Sequence, residues 1–226
     1  WASGWPKRSA IKRQPARSNL GLGRNWIKLG AMIDTDPSDP ELDFSDLYQA
    51  MCDGDLVTLE AAAALSDFPH GVDDFVGQHW LTNAVDAGNL ATVQWVLSKG
   101  VAPTYHDDEG RSALTSTLEM ERGFIGLERI NTSMPTHKTP FVIAVIDALC
   151  DAGADVNQSL TLDDTALHLA AMFSSVEVVR HLLARGADPL AICDDYVGRT
   201  PAGIAKGFKR WEVHAVLSEA AELASK

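Results

Sequence analysis

The chain has 226 residues, 46% hydrophobic and 22% charged, with a formal net charge of −12; this is the balance of an ordinary globular protein of one large or two small domains. No apolar run approaches the roughly 18 residues needed to cross a bilayer. Cys52, Cys150 and Cys193 are too few and too scattered for a disulfide framework and include no C-x-x-C pair, so a reducing, cytoplasmic setting is expected, with each thiol a small apolar filler.

In chain order, residues 1–33 hold seven Lys or Arg and no acid, whereas residues 34–226 hold 12 basic and 31 acidic residues, a net −19. A body this acidic repels nucleic acid and anionic membrane surfaces, so neither is an expected partner; a basic protein is. The first twenty residues lack helical or strand periodicity and have the composition of a segment that cannot bury enough apolar surface to order itself. No apolar stretch follows the basic residues as a secretory signal requires. The segment is similar to an organelle transit peptide, and a basic arm is a further alternative. The preferred expectation starts the natural chain at Met32, where composition turns abruptly acidic, with residues 1–31 vector-derived or upstream read-through. The predicted domains are therefore a disordered basic leader, 1–33, and a folded domain, 34–226, entered through a solvated acidic stretch at 34–43.

From residue 45 onward a period near 33 emerges. SDLYQA (45–50) precedes CDGDLVTLEAAAAL; HWLTNAVDAGN (79–89) precedes VQWVLSKGV; SALTST (112–117) opens a third unit. TALHLAAMFSSVEVVRHLLARGAD (165–188) is the fullest copy, and TPAGIA (200–205) opens the last. Corresponding positions Ala50, Ala84, Thr117, Ala170 and Ala205 are 34, 33, 53 and 35 residues apart, so the third unit carries about 20 extra residues, placed at 119–139. Each unit reads as two short helices that cannot bury an apolar face alone, so neighbours must stack. Leu81, Leu114 and Leu167 take core positions in the opening helices; Val96, Leu97, Leu182 and Leu183 face the next unit. Apolar runs at 59–65 and 141–149 suit buried helices. Gly100, Gly153 and Gly186 close second helices, and Thr165 and Thr200 stand at N-caps, the latter followed by Pro201.

The segment 165–188 closely resembles the ankyrin pattern, in which T-P-L-H-x-A-A opens a first helix and a second ends in L-L-x-x-G-A-D. The resemblance extends over about five units at 45–217 and implies an all-α solenoid of helix-turn-helix repeats with short β-hairpin fingers. The first and last units depart from the pattern as caps do: the first runs into LSDFPHGVDD, and the last carries Lys206, Lys209 and Arg210 near its turn. The family binds proteins on its finger tips and first-helix faces. Fingers fall at 71–79, 102–112, 155–165 and 188–200, each with adjacent acids. The family finger reads D-x-x-G-x-T, so Asp74, Asp107 and Asp195, each three residues before a glycine, are assigned to the turns. In the third finger Asp163 replaces the glycine and Leu160 the aspartate.

Asp73, Asp108, Glu109 and Asp194 remain as candidate partner contacts, with Tyr105 and Tyr196 beside them as aromatic anchors. The alternative is an acidic surface that serves solubility. Phe124 and Ile125 in the insertion are further contacts, unless that segment packs against its own helices. His168 takes the family's T-x-L-H position, bonded to a neighbouring finger. No H-x-x-x-H or C-x-x-C spacing marks a metal site, no catalytic constellation is readable, and no cofactor is expected. The expectation is a monomeric, non-enzymatic binding module, an adaptor or inhibitor, with toxin neutralisation as one form. A scaffold segment of a larger regulatory protein and an enzyme framed on the solenoid are the alternatives.

Overall fold

The computed structural model of the chain describes residues 43–107, 111–122, 138–159, 164–193 and 199–226. Ten helices lie among them: α1 (Phe44–Asp53), α2 (Leu56–Leu65), α3 (Trp80–Ala87), α4 (Leu90–Ser98), α5 (Ala113–Arg122), α6 (Thr139–Asp151), α7 (Ala166–Phe173), α8 (Val176–Ala184), α9 (Pro201–Gly207) and α10 (Trp211–Ala224). Each odd helix packs on the even helix that follows it. The odd helices also pack in sequence from α1 to α9, and α4, α6, α8 and α10 form a second row. Two layers of short helices result, and their shared interior is the core.

Local chemistry sets where helices begin. Asp43, Asp55 and Asn89 accept backbone N–H groups at 3.0, 3.2 and 3.0 Å, and Thr200 Oγ1 accepts from Gly203 N at 3.3 Å. Gly100, Gly153 and Gly186 have φ of 81°, 100° and 91°, the left-handed geometry expected after a second helix. All five alanine-type positions are buried, as are Leu81, Leu114, Leu167, Val96 and Leu182. Thr117 fits an alanine slot because its hydroxyl donates to Ala113 O at 2.7 Å within its own helix. Val142, Val145, Ile146 and Leu149 fill the core from α6. The run at 59–65 departs from expectation: Leu59 and Ala62 are buried, but Leu65, like Leu56 and Val57 earlier in α2, is exposed.

The first pair has no closing Gly-Ala-Asp. Phe68 substitutes as a plug, edge-on to Trp80 at 4.9 Å and 5.8 Å from Trp95. The expected β-hairpins are reduced to isolated antiparallel bridges, Val72 with His79, His106 with Ser112 and Cys193 with Arg199. Each bridge ends just before an odd helix.

Successive pairs are stitched at their helix-to-helix turns. Asn89 Nδ2 donates to Cys52 O at 3.3 Å and Thr92 Oγ1 to Met51 O at 2.8 Å. The same device recurs, enlarged, at the far end. Arg210, expected in a polar cap, is only 6% exposed. Its guanidinium donates to Ala170 O at 3.0 Å, to Ala171 O at 3.1 Å and to Ser174 O, meeting the last carbonyls of α7. Burial brings its pKa down to about 10, with the Glu121 charge opposing. Glu121 is 0% exposed and accepts from Ser175 N at 3.0 Å, Ser175 Oγ at 3.1 Å and Thr139 Oγ1 at 2.6 Å. Residues 119–122 of the expected insertion therefore belong to α5, and one of them packs into the protein; Phe124 and Ile125 lie outside the described residues.

His168 is buried as expected. Thr165 N donates to its Nδ1 at 3.1 Å, leaving Nε2–H to donate to Ala191 O at 3.2 Å in the following finger. Burial lowers its pKa, outweighing the raising influence of Asp164 and of the bonds to Ala191 and Arg199. A lowered folded value means that the unfolded chain binds the proton more readily, so His168 costs stability as pH falls below the ordinary histidine value of about 6.5. The urea midpoint should drop between pH 7 and pH 5, and the drop should be smaller in His168→Asn; an equal drop in both proteins would contradict this burden.

Candidate finger-side interface

The finger side starts from one buried carboxylate. Asp73 is 2% exposed, and its oxygens accept from the backbone N–H groups of Phe75 at 2.8 Å, Val76 at 2.7 Å and Gln78 at 3.0 Å, and from Asn83 Nδ2 at 2.8 Å. Burial works to raise its pKa, but the bonds from Val76, Asn83, Phe75 and Gln78 prevail and lower it. The expected roles of the two aspartates are thus reversed: Asp73 organises the turn, and Asp74 stands exposed beside it. In the second finger Asp107 does serve the turn, accepting from Arg111 N at 2.7 Å.

Polar contacts run from this turn along the odd helices. Gln78 Nε2 donates to Asn83 Oδ1 at 2.8 Å and to Asp86 Oδ2 at 3.0 Å. Asp86 also accepts from Arg111 Nη2 at 2.8 Å and Ser116 Oγ at 2.7 Å. The fingers are bonded to one another as well. Tyr105 stacks on His79 with centroids 4.2 Å apart, so the tyrosine expected as a free anchor is partly committed to the protein, although 37% exposed. Gln158 Nε2 donates to Thr104 O at 3.0 Å; Asn157 donates to Gly186 O at 2.9 Å and accepts from Asp188 N at 2.8 Å. Such cross-links hold a row of turns in fixed relative positions, which reduces the ordering a partner must induce.

An aromatic stack stands at the first finger. Phe44 lies parallel to Tyr48 at 5.7 Å and to Phe75 at 5.3 Å, and 5.8 Å from Trp80. Phe75 and Val76 are each 64% exposed. The Tyr48 phenol is pushed up first by burial, then by Cys52 and Asp86. Sequence reasoning passed over Phe44, Tyr48, Phe75 and Val76; a finger reading DDFV, with two apolar residues at its tip, was the available signal.

Asp108, Glu109, Asp194 and Tyr196 lie outside the described residues. Among the described residues no three His, Cys, Asp or Glu side chains gather as a metal site requires. His106 Nδ1 lies 3.1 Å from Asp107 O, His181 Nε2 lies 2.8 Å from Asp147 Oδ1, and His214 Nδ1 lies 2.9 Å from Ala202 O. No described helix is long and apolar enough to cross a membrane.

Among the described residues these features define an all-helical arrangement of stacked helix pairs with bonds between successive turns. Residues 162–195 match the family model described as Ankyrin repeat. The chain is also 29% identical over 165 residues to a protein named L-asparaginase from Dirofilaria immitis, a match covering 66% of this chain and 27% of that protein. The chain thus spans little more than a quarter of that relative.

Proposed function

We propose that the chain is an array of about five ankyrin repeats acting as a non-enzymatic protein-binding module, which captures a basic or basic-patched protein on its finger side. The cross-linked row of finger turns carries this reading: it presents exposed acids, Asp74, Asp155 and Asp188, from fixed backbone positions. Fixed charges of one sign steer a cationic partner and speed its association. Asp108, Glu109, Asp194 and Tyr196 belong to the same proposed contact, together with Tyr105. Adaptor, inhibitor and toxin-neutralising roles all use such a surface.

The test is capture on the immobilised full chain at 50 mM NaCl, elution at 500 mM, and identification of what elutes. A discrete basic protein is expected. Retention of acidic proteins alone, or retention unaffected by salt, would remove the charge-based reading.

The partial match to an L-asparaginase favours a second reading, in which this stretch is the helical-repeat segment of a larger hydrolase. Under both readings the chain alone should release no ammonia from L-asparagine. Turnover above the blank would make it an enzyme.

A further inference from the structure

The acids of the body are not evenly spread. Residues 43–98 contain nine Asp or Glu and no Lys or Arg, whereas residues 99–226 contain 18 acids and 12 bases. The first two helix pairs and the first finger therefore form the most negative part of the protein. The two nearest basic groups beyond them are already paired, Lys99 with Glu60 at 2.6 Å and Arg111 with Asp86 at 2.8 Å.

In this region also stands the aromatic stack. Phe75 is its exposed ring, Phe44 and Tyr48 are half-buried members behind it, Val76 is exposed beside it, and the exposed carboxylates of Asp46 and Asp74 are nearby in sequence. The two properties together are selective. An apolar patch alone would take any apolar surface, and carboxylates alone any cation. A ring face within about 6 Å of a guanidinium attracts it through the ring quadrupole, and the acids beside it add charge that the surrounding sequence does not neutralise. Arginine suits such a site better than lysine, because its planar, weakly hydrated head stacks on rings while its stem covers apolar surface.

We infer that the Phe44–Tyr48–Phe75 stack with Val76 and Asp74 is the anchoring site for an arginine-bearing segment of a partner protein, with an aliphatic side chain next to the arginine. This rests on the binding-module reading and locates its strongest contact at the first finger rather than along the whole row. The occupant is a peptide segment in which the cationic and aliphatic groups sit side by side.

The probes are three fluorescein-labelled 12-residue peptides: alternating Arg and Leu, alternating Arg and Ser, and alternating Lys and Leu. Anisotropy with the full chain at 150 mM NaCl should rank Arg-Leu above Lys-Leu and Arg-Ser. The double variant F75S/V76S, whose side chains are exposed and outside the core, should weaken Arg-Leu binding at least about tenfold. I192S, an exposed apolar residue of the last finger, should change it less than about twofold. Equal binding of the three peptides, or unchanged Arg-Leu binding by F75S/V76S, would overturn the site. So would a dimer that F75S/V76S converts to monomer, since the patch would then be a self-interface. A basic partner recovered by salt elution and still held by F75S/V76S would leave the binding-module reading standing and remove only this location.

Discussion

Replacing Arg210 with alanine should lower unfolding free energy by about 3–5 kcal/mol, because it removes both a buried cation and the donor for three backbone carbonyls. Those carbonyls, of Ala170, Ala171 and Ser174, lie at the C-terminal end of α7, where the one guanidinium meets all three. The same change removes a cation whose charge interacts with that of buried Glu121. Arg210→Lys should lie between the two proteins, since an ammonium keeps the charge but cannot span three acceptors as the planar fork does. The exposed neighbour Lys209 is the control: Lys209→Ala should change stability by less than about 0.5 kcal/mol. Urea unfolding followed by circular dichroism reads all three. A loss below about 1 kcal/mol for Arg210→Ala would mean that the carbonyls find other partners.

Asp73→Ala should cost about 2–4 kcal/mol at pH 7, because three amides and the Asn83 side chain lose a charged acceptor inside a buried turn. Asp74→Ala, one residue on and exposed, should cost less than about 0.5 kcal/mol. The difference between native and Asp73→Ala should also depend on pH in a defined direction. The folded Asp73 value is lowered from the ordinary aspartate value of 3.8, so its contribution is complete above that value and disappears as pH falls through the folded one. The gap should hold from pH 7 to about pH 4.5 and narrow below pH 4. Equal costs for the two alanine variants would show that neither aspartate organises the turn.

The Asp73 result shows where the sequence was legible and where it was not. Helix pairs, alanine slots and closing glycines follow from periodicity, because a stacked array repeats one packing problem. Ala84 and Ala170 are buried for the same reason, and the period reveals both. The His168 bond follows from the resemblance of 165–188 to the ankyrin pattern. The fingers obey a second register, set by their bridges. Asp73 and Asp107 each follow a bridging residue, yet Val72 pairs seven residues ahead with His79 while His106 pairs six ahead with Ser112. The first finger is one residue longer, and counting back from the glycine selected Asp74. Counting forward from the bridging residue gives the observed one.

Arg210 and Glu121 were illegible for a different reason. A charged residue in a terminal unit reads as solvated surface, and only the position of α7 shows that its carbonyls need a donor. The partner lies in the segment 40 residues earlier, a separation at which side-chain bonding leaves no local pattern. The aromatic stack was hidden similarly: Phe44, Tyr48 and Phe75 belong to different elements, and the fold alone brings them together.

The central claim, capture of a basic protein by fixed acidic turns, is tested most directly by association kinetics. The partner recovered by salt elution is measured against the native chain and against a variant with Asp74, Asp108 and Glu109 changed to lysine. At 50 mM NaCl the variant should associate at least about tenfold more slowly, and its rate should fall much less steeply as salt is raised to 300 mM. Equal association rates and equal salt dependence in the two proteins would contradict the claim.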